Sequence, residues 1–167
     1  MKKTILTSLA VLAMAATASA QDSPLWLRRN AISPDGTQIA FTYKGDIYTV
    51  PTEGGQAKQI TTNPAYDSNP MWTDDSKTIV FSSYREGSKD IYKVSAKGGE
   101  PIRLTTHPGN ETPMAVLGNN DGILFSAAIQ QDAQYGDFPG EAQVYQIGID
   151  GGRPRQVTSL PISNISV

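Results

Sequence analysis

Apolar and polar residues alternate in short runs along most of the chain, and this period of two predicts β-strands rather than helices. One such run has the sequence D-I-Y-T-V-P-T-E-G-G-Q-A-K-Q-I-T from Asp46. It returns as D-I-Y-K-V-S-A-K-G-G-E-P-I-R-L-T from Asp90, and more loosely as Q-V-Y-Q-I-G-I-D-G-G-R-P-R-Q-V-T from Gln143. The copies start 44 and then 53 residues apart, at positions 46, 90 and 143. Periods of this length are typical of repeat architectures.

Each copy predicts a β-hairpin. The first strand places its apolar residues on one face, a glycine pair follows, and a second short run ends in threonine. Glycine adopts positive φ angles without steric cost, as a tight hairpin turn requires. The three glycine pairs are Gly54-Gly55, Gly98-Gly99 and Gly151-Gly152.

A second hairpin is predicted upstream of each copy. Ser33-Pro34-Asp35-Gly36 is a strong turn signal, because proline fixes φ and the following Asp and Gly suit the later turn positions. Thr73–Ser76 and Gly118–Gly122 stand at the equivalent places, and an apolar strand follows each turn. Four antiparallel strands in roughly 40–50 residues make one blade of a β-propeller. The sequence therefore predicts an all-β fold with about three four-stranded blades.

The predicted blades cover residues 30–63, 69–106 and 113–158. Residues 163–167 repeat the start of the earlier blades, so we expect a fourth blade to begin there. A closed propeller has at least about four blades. Three alone would expose an apolar sheet face and an unpaired strand edge. We therefore expect an incomplete propeller, the N-terminal fragment of a larger chain.

The first 20 residues have the organisation of a secretory signal peptide. Lys2-Lys3 is followed by the apolar segment 5–18 and by the small-residue cleavage site Ala18-Ser19-Ala20. The apolar segment is shorter than the roughly 20 residues that span a bilayer. We expect cleavage between Ala20 and Gln21, export to a periplasm or beyond, and residues 21–29 as a leader into the first strand.

Composition excludes two classes of function. The formal net charge is −2 and no basic stripe is present, which argues against a nucleic-acid surface. The chain contains no cysteine, so it has neither a thiolate nucleophile nor a cysteine metal site.

The sequence contains no recognisable catalytic constellation. A serine nucleophile needs a base within hydrogen-bond reach, and the single histidine, His107, lies in a connection where Asn63 stands one repeat earlier. There is no G-x-S-x-G elbow. The glycine pairs join strand to strand, so they do not predict a phosphate-binding loop. We expect no catalytic, cofactor-binding or metal-binding residue in this chain.

Several charged residues have a structural interpretation that the pattern favours. Asp74-Asp75 would suit acid–base chemistry, but the pair stands at a predicted turn. Asp46 and Asp90 precede the Ile-Tyr strands, and we expect them to accept hydrogen bonds from nearby backbone N–H groups rather than to bind calcium. The segment Arg85–Gly87 is predicted to be an exposed hairpin tip.

Three further features have two interpretations each. Trp26 and Trp72 are either peptide-stacking platforms or core residues, and their position beside apolar strands favours the core. The segment Gln130–Glu141, in the longest loop between second and third strands, is either a binding surface or a tolerated insertion. Asn110-Glu111-Thr112 and Asn164-Ile165-Ser166 match the glycosylation pattern, which matters only on a eukaryotic secretory route.

Two stretches are similar to the start of the propeller in tricorn-type serine proteases: A-I-S-P-D-G-T-Q-I-A-F-T-Y-K-G-D-I-Y from Ala31 and I-T-T-N-P-A-Y-D-S-N-P-M-W from Ile60. S-S-Y-R-E-G-S-K-D-I-Y from Ser82 resembles the bacterial members of that family. The resemblance covers residues 25–167, although the turn patterns of the second and third blades depart from S-P-D-G. S-P-D-G, D-I-Y and G-G also mark TolB-like and dipeptidyl-peptidase-type propellers.

The resemblance implies an exported N-terminal propeller in front of a PDZ module and a tricorn-type peptidase core. Such a propeller gates or guides peptide substrates, and none of the family's catalytic residues lies in the matching stretch. Its implied partners are peptides, the remaining blades and the PDZ and peptidase domains, and the full-length form is expected to be a homo-oligomer. The alternatives are a non-catalytic TolB-like periplasmic binding propeller and the propeller of a dipeptidyl-peptidase-type hydrolase.

Overall fold

The computed structural model describes residues 27–129 and 142–158, which form three antiparallel sheets of four strands each. In every sheet the strands are neighbours in the order in which they occur along the chain. Blade one contains β1 (Arg28–Ile32), β2 (Gln38–Tyr43), β3 (Asp46–Pro51) and β4 (Lys58–Gln59). Blade two contains β5 (Asp67–Trp72), β6 (Thr78–Ser83), β7 (Asp90–Ser95) and β8 (Ile102–Arg103). Blade three contains β9 (Glu111–Val116), β10 (Ile123–Ala127), β11 (Gln143–Gly148) and β12 (Gly151–Thr158). The prediction of an all-β fold built from three blades is confirmed.

The turns between the first and second strands of blades one and two share one hydrogen-bonding pattern. The Ser33 hydroxyl donates to the Asp35 carboxylate over 2.6 Å, and the Thr73 hydroxyl donates to Asp75 over 2.7 Å. The carboxylate also accepts the backbone N–H two residues further on in both blades. Asp75 is therefore a turn residue, as its position in the repeat predicts.

In blade three, the connection between the first and second strands has a different backbone conformation. Residues Gly118–Asn120 form a short 3-10 helix, in which Asn119 and Asn120 have φ angles of 61° and 58°. The two turns contact each other, because the Asp74 N–H donates to the Asn120 side chain and the Asn119 N–H donates to the Asp74 carboxylate, each over 2.7 Å. Asp74 thus links blade two to blade three.

The glycine pairs form the turns between the third and fourth strands. Gly54 and Gly55 have φ angles of 89° and 125°, and the other two pairs have similar values. These angles lie in the region that L side chains rarely adopt. The hairpins predicted from the glycine pairs are confirmed.

The core lies between the sheets, because blades two and three each pack one face against the preceding blade. Every blade carries a stacked aromatic pair on that face: Phe41 and Tyr48, Phe81 and Tyr92, and Phe125 and Tyr145. The pair of blade two is buried in a cluster that contains Ala40 and Ile47 of blade one. The pair of blade three is buried in a cluster that contains Val80 and Ile91 of blade two.

Trp72 belongs to the first of these clusters and is 6% exposed. Its indole N–H donates to the Ala31 carbonyl of blade one over 3.0 Å. The core interpretation of Trp72 is confirmed, and Trp26 lies outside the described residues.

The aromatic pair of blade one has no blade against it among the described residues. Phe41 and Tyr48 are only half-buried, and together with Ile39, Tyr43 and Val50 they line an open apolar groove of about 520 Å³. The groove is the face that is covered in blades two and three.

Candidate functional site

The chemically distinctive part of the molecule is one end of the blades. Because the strands are antiparallel, the first and third strands of a blade start at the same end at which its second and fourth strands finish. We call this end the loop end. Three carboxylates, Asp67, Asp90 and Glu111, lie there with 0% exposure. Full burial of an acidic residue is rare unless the charge is paired.

A polar pair joins the third and fourth strands of every blade at the loop end. Asp90 forms an ion pair with Arg103 over 2.9 Å, and its burial raises its pKa. Burial also raises the pKa of Asp46. The equivalent pairs are Gln59 with Asp46 over 3.0 Å and Gln156 with Gln143 over 2.7 Å.

The expectation that Asp46 and Asp90 accept hydrogen bonds from backbone N–H groups is wrong. Threonine hydroxyls accept those bonds instead. The Ile47 N–H donates to Thr61, and the Ile91 N–H donates to Thr105, each over 2.9 Å. The threonines that end the first two repeats thus accept the backbone bonds that were expected for the aspartates. The aspartates face side chains of the neighbouring strand, which the linear pattern does not reveal.

Arg85 is not part of an exposed tip, although Glu86 and Gly87 are exposed. Its guanidinium donates to the Asp67 carboxylate over 2.8 Å, and its side chain is 9% exposed. It also lies over the aromatic pair of blade two, 5.5 Å from the Phe81 ring and 5.2 Å from the Tyr92 ring. The buried charge of Asp67 is therefore compensated by a cation that is itself held on an aromatic platform.

Glu111 has no comparable partner. Within the described part of the chain, no donor lies in hydrogen-bond geometry to either of its carboxylate oxygens. Burial raises its pKa to about 7, and the Asp90 charge adds to this effect. The Thr105 hydroxyl, the Arg103 guanidinium and the His107 backbone each lower the pKa of Glu111, but they offset only part of the increase that burial causes. The protonation state of this carboxyl therefore changes near neutral pH.

Glu111 lines a cleft of about 650 Å³ between blades two and three. Tyr145 and Ile129 of blade three form part of the wall, and Arg153 and Gln156 of β12 also line the cleft. Arg153 is exposed. A buried carboxyl with a shifted pKa beside an open cleft makes this the candidate site.

His107 also lines the cleft, in the connection from β8 to β9. Its Nδ1 accepts the Gly109 N–H over 3.0 Å. The side chain of Asn63 accepts the Ala65 N–H in the same way one repeat earlier, over 2.9 Å. The structure thus places His107 in a loop, where its ring caps the backbone as asparagine does.

Sequence reasoning overlooked Asp67 and Glu111 as a pair, although the signal was present. They stand 44 residues apart, as do the other positions of the first two repeats. The glycosylation pattern Asn110-Glu111-Thr112 gives no indication of this position. The insertion Gln130–Glu141, the other predicted surface, lies outside the described residues.

Comparison with known proteins identifies the repeat. A family model described as the tricorn protease N-terminal beta propeller domain matches residues 24–166. The chain belongs to this family. This assignment agrees with the three blades and with the resemblance of the blade-one sequence.

Relatives of this tricorn-family propeller include TolB proteins and the tricorn protease. A Tol-Pal system protein TolB from Anaeromyxobacter dehalogenans is 39% identical over an alignment of 57 residues, which covers 29% of this chain and 13% of that protein. The structure of a putative TolB from Agrobacterium tumefaciens has a TM-score of 0.67 at 23% identity and covers 80% of this chain and 50% of that one. The crystal structure of the tricorn protease has a TM-score of 0.55 at 16% identity and covers 73% and 13% respectively. The two solved structures show a shared fold, and the chain spans half or less of each relative's length.

Residues 27–129 and 142–158 contain no group of three histidine or acidic side chains arranged to hold a metal ion. They also contain no helix that is long and apolar enough to cross a membrane.

Proposed function

We propose that this chain is a propeller segment of an exported tricorn-type serine peptidase. In this proposal the propeller selects peptides and guides them, and the catalytic serine and its base lie elsewhere in the parent protein. The observation that carries the proposal is the family match over residues 24–166. The open cleft between blades two and three, with a buried carboxyl in its wall, is a surface suited to peptide side chains.

Export follows from residues 1–20 in the same proposal. A charged start, an apolar segment and a small-residue site favour secretion over membrane anchoring. The mature protein would then begin at Gln21 and act in a periplasm or outside the cell.

The proposal is tested on the protein that source cells make. An antibody against the blades is used to precipitate it, and the product is treated with a fluorophosphonate, which labels active serine hydrolases. We expect a polypeptide longer than 167 residues that takes up the label and begins at Gln21. An unlabelled product with the length of the chain printed above would contradict the peptidase assignment.

The second candidate is a non-catalytic TolB-like binding propeller. The identity of 39% with a Tol-Pal protein favours it, although the alignment covers only 57 residues. In this case the precipitate contains a partner protein and no fluorophosphonate label. The same experiment therefore separates the two candidates.

A further inference from the structure

The two interfaces between blades are built on the same plan, which allows them to be compared residue by residue. Asp67 starts β5 opposite Ser83, and Glu111 starts β9 opposite Ala127. The N–H of each acid donates to a carbonyl of the preceding blade, Gly45 for Asp67 and Lys89 for Glu111, over 2.7 Å in both cases. Asp67 and Glu111 are thus equivalent positions, and both side chains are fully buried.

The partner of the acid is present at one interface and missing at the other. Asp67 is neutralised by Arg85. The equivalent position in blade three, one repeat of 44 residues later, is Ile129. Arg103 lies nearest among the other cations, but it is bound to Asp90 and to the Thr105 carbonyl. The segment 130–141 contains neither lysine nor arginine.

The aromatic platform of the arginine is preserved, whereas Ser83, whose hydroxyl accepts the Arg85 Nε–H over 3.1 Å, is replaced by Ala127. The rings of Phe125 and Tyr145 lie 5.7 Å apart at 29°, and those of Phe81 and Tyr92 lie 5.9 Å apart at 27°. Arg85 covers the second pair, whereas no described cation covers the first. The cleft that Arg85 lines encloses about 210 Å³, against about 650 Å³ for the cleft that Ile129 lines.

We propose that the cleft between blades two and three binds the guanidinium group of an arginine side chain in a peptide. Glu111 accepts its hydrogen bonds, and the Phe125–Tyr145 pair supports its plane, as Asp67 and its aromatic pair do for Arg85. The inference rests on the proposed function in one respect, since it supposes that the ligand is a peptide. It adds the class of peptide, one that carries arginine.

Charge explains why a cation is the ligand that fits. A buried carboxylate without a partner is strongly unfavourable, and a planar guanidinium restores both the charge balance and the hydrogen bonds. Arg153 is exposed and lines the cleft, so a cationic ligand meets a like charge there. Arg153 corresponds to Glu100 in the first cleft, 53 residues earlier, where the internal cation is present.

Binding is also coupled to protonation. The guanidinium pairs with the ionised form of Glu111, whose pKa is about 7 without it. The other groups that act on the pKa of this carboxyl are Asp90, Arg103, the Thr105 hydroxyl and the His107 backbone. We therefore expect proton release near neutral pH and an affinity that rises several-fold between pH 6 and pH 8.

The test is calorimetric titration of the full chain with N-acetyl-Ala-Arg-Ala-amide. The matched ligand carries citrulline, which keeps the shape of arginine without its charge, and a second carries lysine. We expect binding of the arginine peptide, at least about tenfold weaker binding of the citrulline and lysine peptides, and at least about tenfold loss in Glu111→Gln. Glu100→Gln, which removes a carboxylate from the rim of the other cleft, should leave the affinity unchanged.

Three results would overturn the proposal. Citrulline or lysine peptides could bind as tightly as arginine, or Glu111→Gln could bind as the parent chain does. Alternatively, a double-mutant cycle of Glu111→Gln and Arg153→Gln could show strong coupling in stability, which would make Arg153 the internal partner. No turnover is measured in this experiment, so its failure leaves the peptidase assignment to the fluorophosphonate test.

Discussion

Two acidic residues at equivalent positions of neighbouring blades differ in whether they have a charged partner. Asp67 and Glu111 are both fully buried at the start of a blade, yet only Asp67 has an arginine within hydrogen-bond distance. The difference follows from one position, Arg85 in blade two and Ile129 in blade three. Predictions at the scale of single residues follow from this contrast.

Arg85→Met should destabilise the chain strongly. The change keeps most of the apolar stem but leaves the Asp67 carboxylate buried without a partner, which costs about 3 kcal/mol or more. The measurement is the free energy of unfolding in urea. Ile129→Met at the equivalent position is the control and should cost less than about 1.5 kcal/mol. Equal losses in the two variants would show that the Arg85–Asp67 pair contributes no more than packing.

Glu111→Gln should stabilise the chain above neutral pH. The native carboxyl has a pKa of about 7 instead of 4.5, so it keeps its proton over a range in which the unfolded chain has lost it. The contribution of Glu111 to the free energy of unfolding of the parent chain therefore falls as pH rises from about 4.5 to about 7 and is level above. Glutamine cannot ionise, and the variant should be more stable above pH 7 by on the order of 2–3 kcal/mol.

Urea unfolding of the parent and Glu111→Gln chains at half-unit steps from pH 5 to pH 8 checks this expectation. The raised pKa of Asp46 is common to both proteins, so its contribution cancels in the difference, whereas Asp90 is electrostatically coupled to Glu111 and contributes to it. A difference that does not change with pH would contradict it.

At the scale of the strands and turns, the sequence was informative wherever the signal is local. Alternating apolar residues and the glycine pairs predicted the hairpins, because strand periodicity and positive φ depend on a few adjacent residues. It was uninformative where the partner lies on another strand or blade. The inward side chain of Arg85 and the side-chain partners of Asp46 are of this kind. The bulges in β1 and β5, with positive φ at Arg29 and Asn69, also lack a local signal.

Gly122 offers a test of how tightly two strands of blade three approach. A Cβ atom there would overlap the backbone carbonyl oxygen of Ile147 on β11, so Gly122→Ala should cost about 3 kcal/mol. Gly36→Ala is the control, since Gly36 has a φ of 73° but open space around it, and it should cost about 1 kcal/mol. Thermal unfolding of both variants compares them. A Gly122→Ala chain as stable as Gly36→Ala would show that β11 can move away at little cost.

At the scale of the whole molecule, the uncovered face of blade one has a direct consequence. Its groove is apolar, and in blades two and three the same face is covered by a neighbouring sheet. Exposed apolar sheet faces promote association. We expect the chain to self-associate in a concentration-dependent manner when it is isolated.

Sedimentation velocity measures that association. Val50→Glu places a charge in the groove and should shift the chain towards the monomer. Val157→Glu is the control, because Val157 is 47% exposed on β12 and does not line the groove. A parent chain that stays monomeric at all concentrations would contradict the role of this face.

The central claim is that the interface of blades two and three repeats the buried acid and the aromatic pair of the first interface but lacks its arginine. Its most direct test is the urea unfolding of Ile129→Arg beside Ile129→Gln, both at pH 8. If the claim is right, the new guanidinium pairs with Glu111 over the Phe125–Tyr145 rings, and Ile129→Arg is more stable than Ile129→Gln by about 1–3 kcal/mol. An arginine variant that is no more stable than the glutamine variant would contradict it.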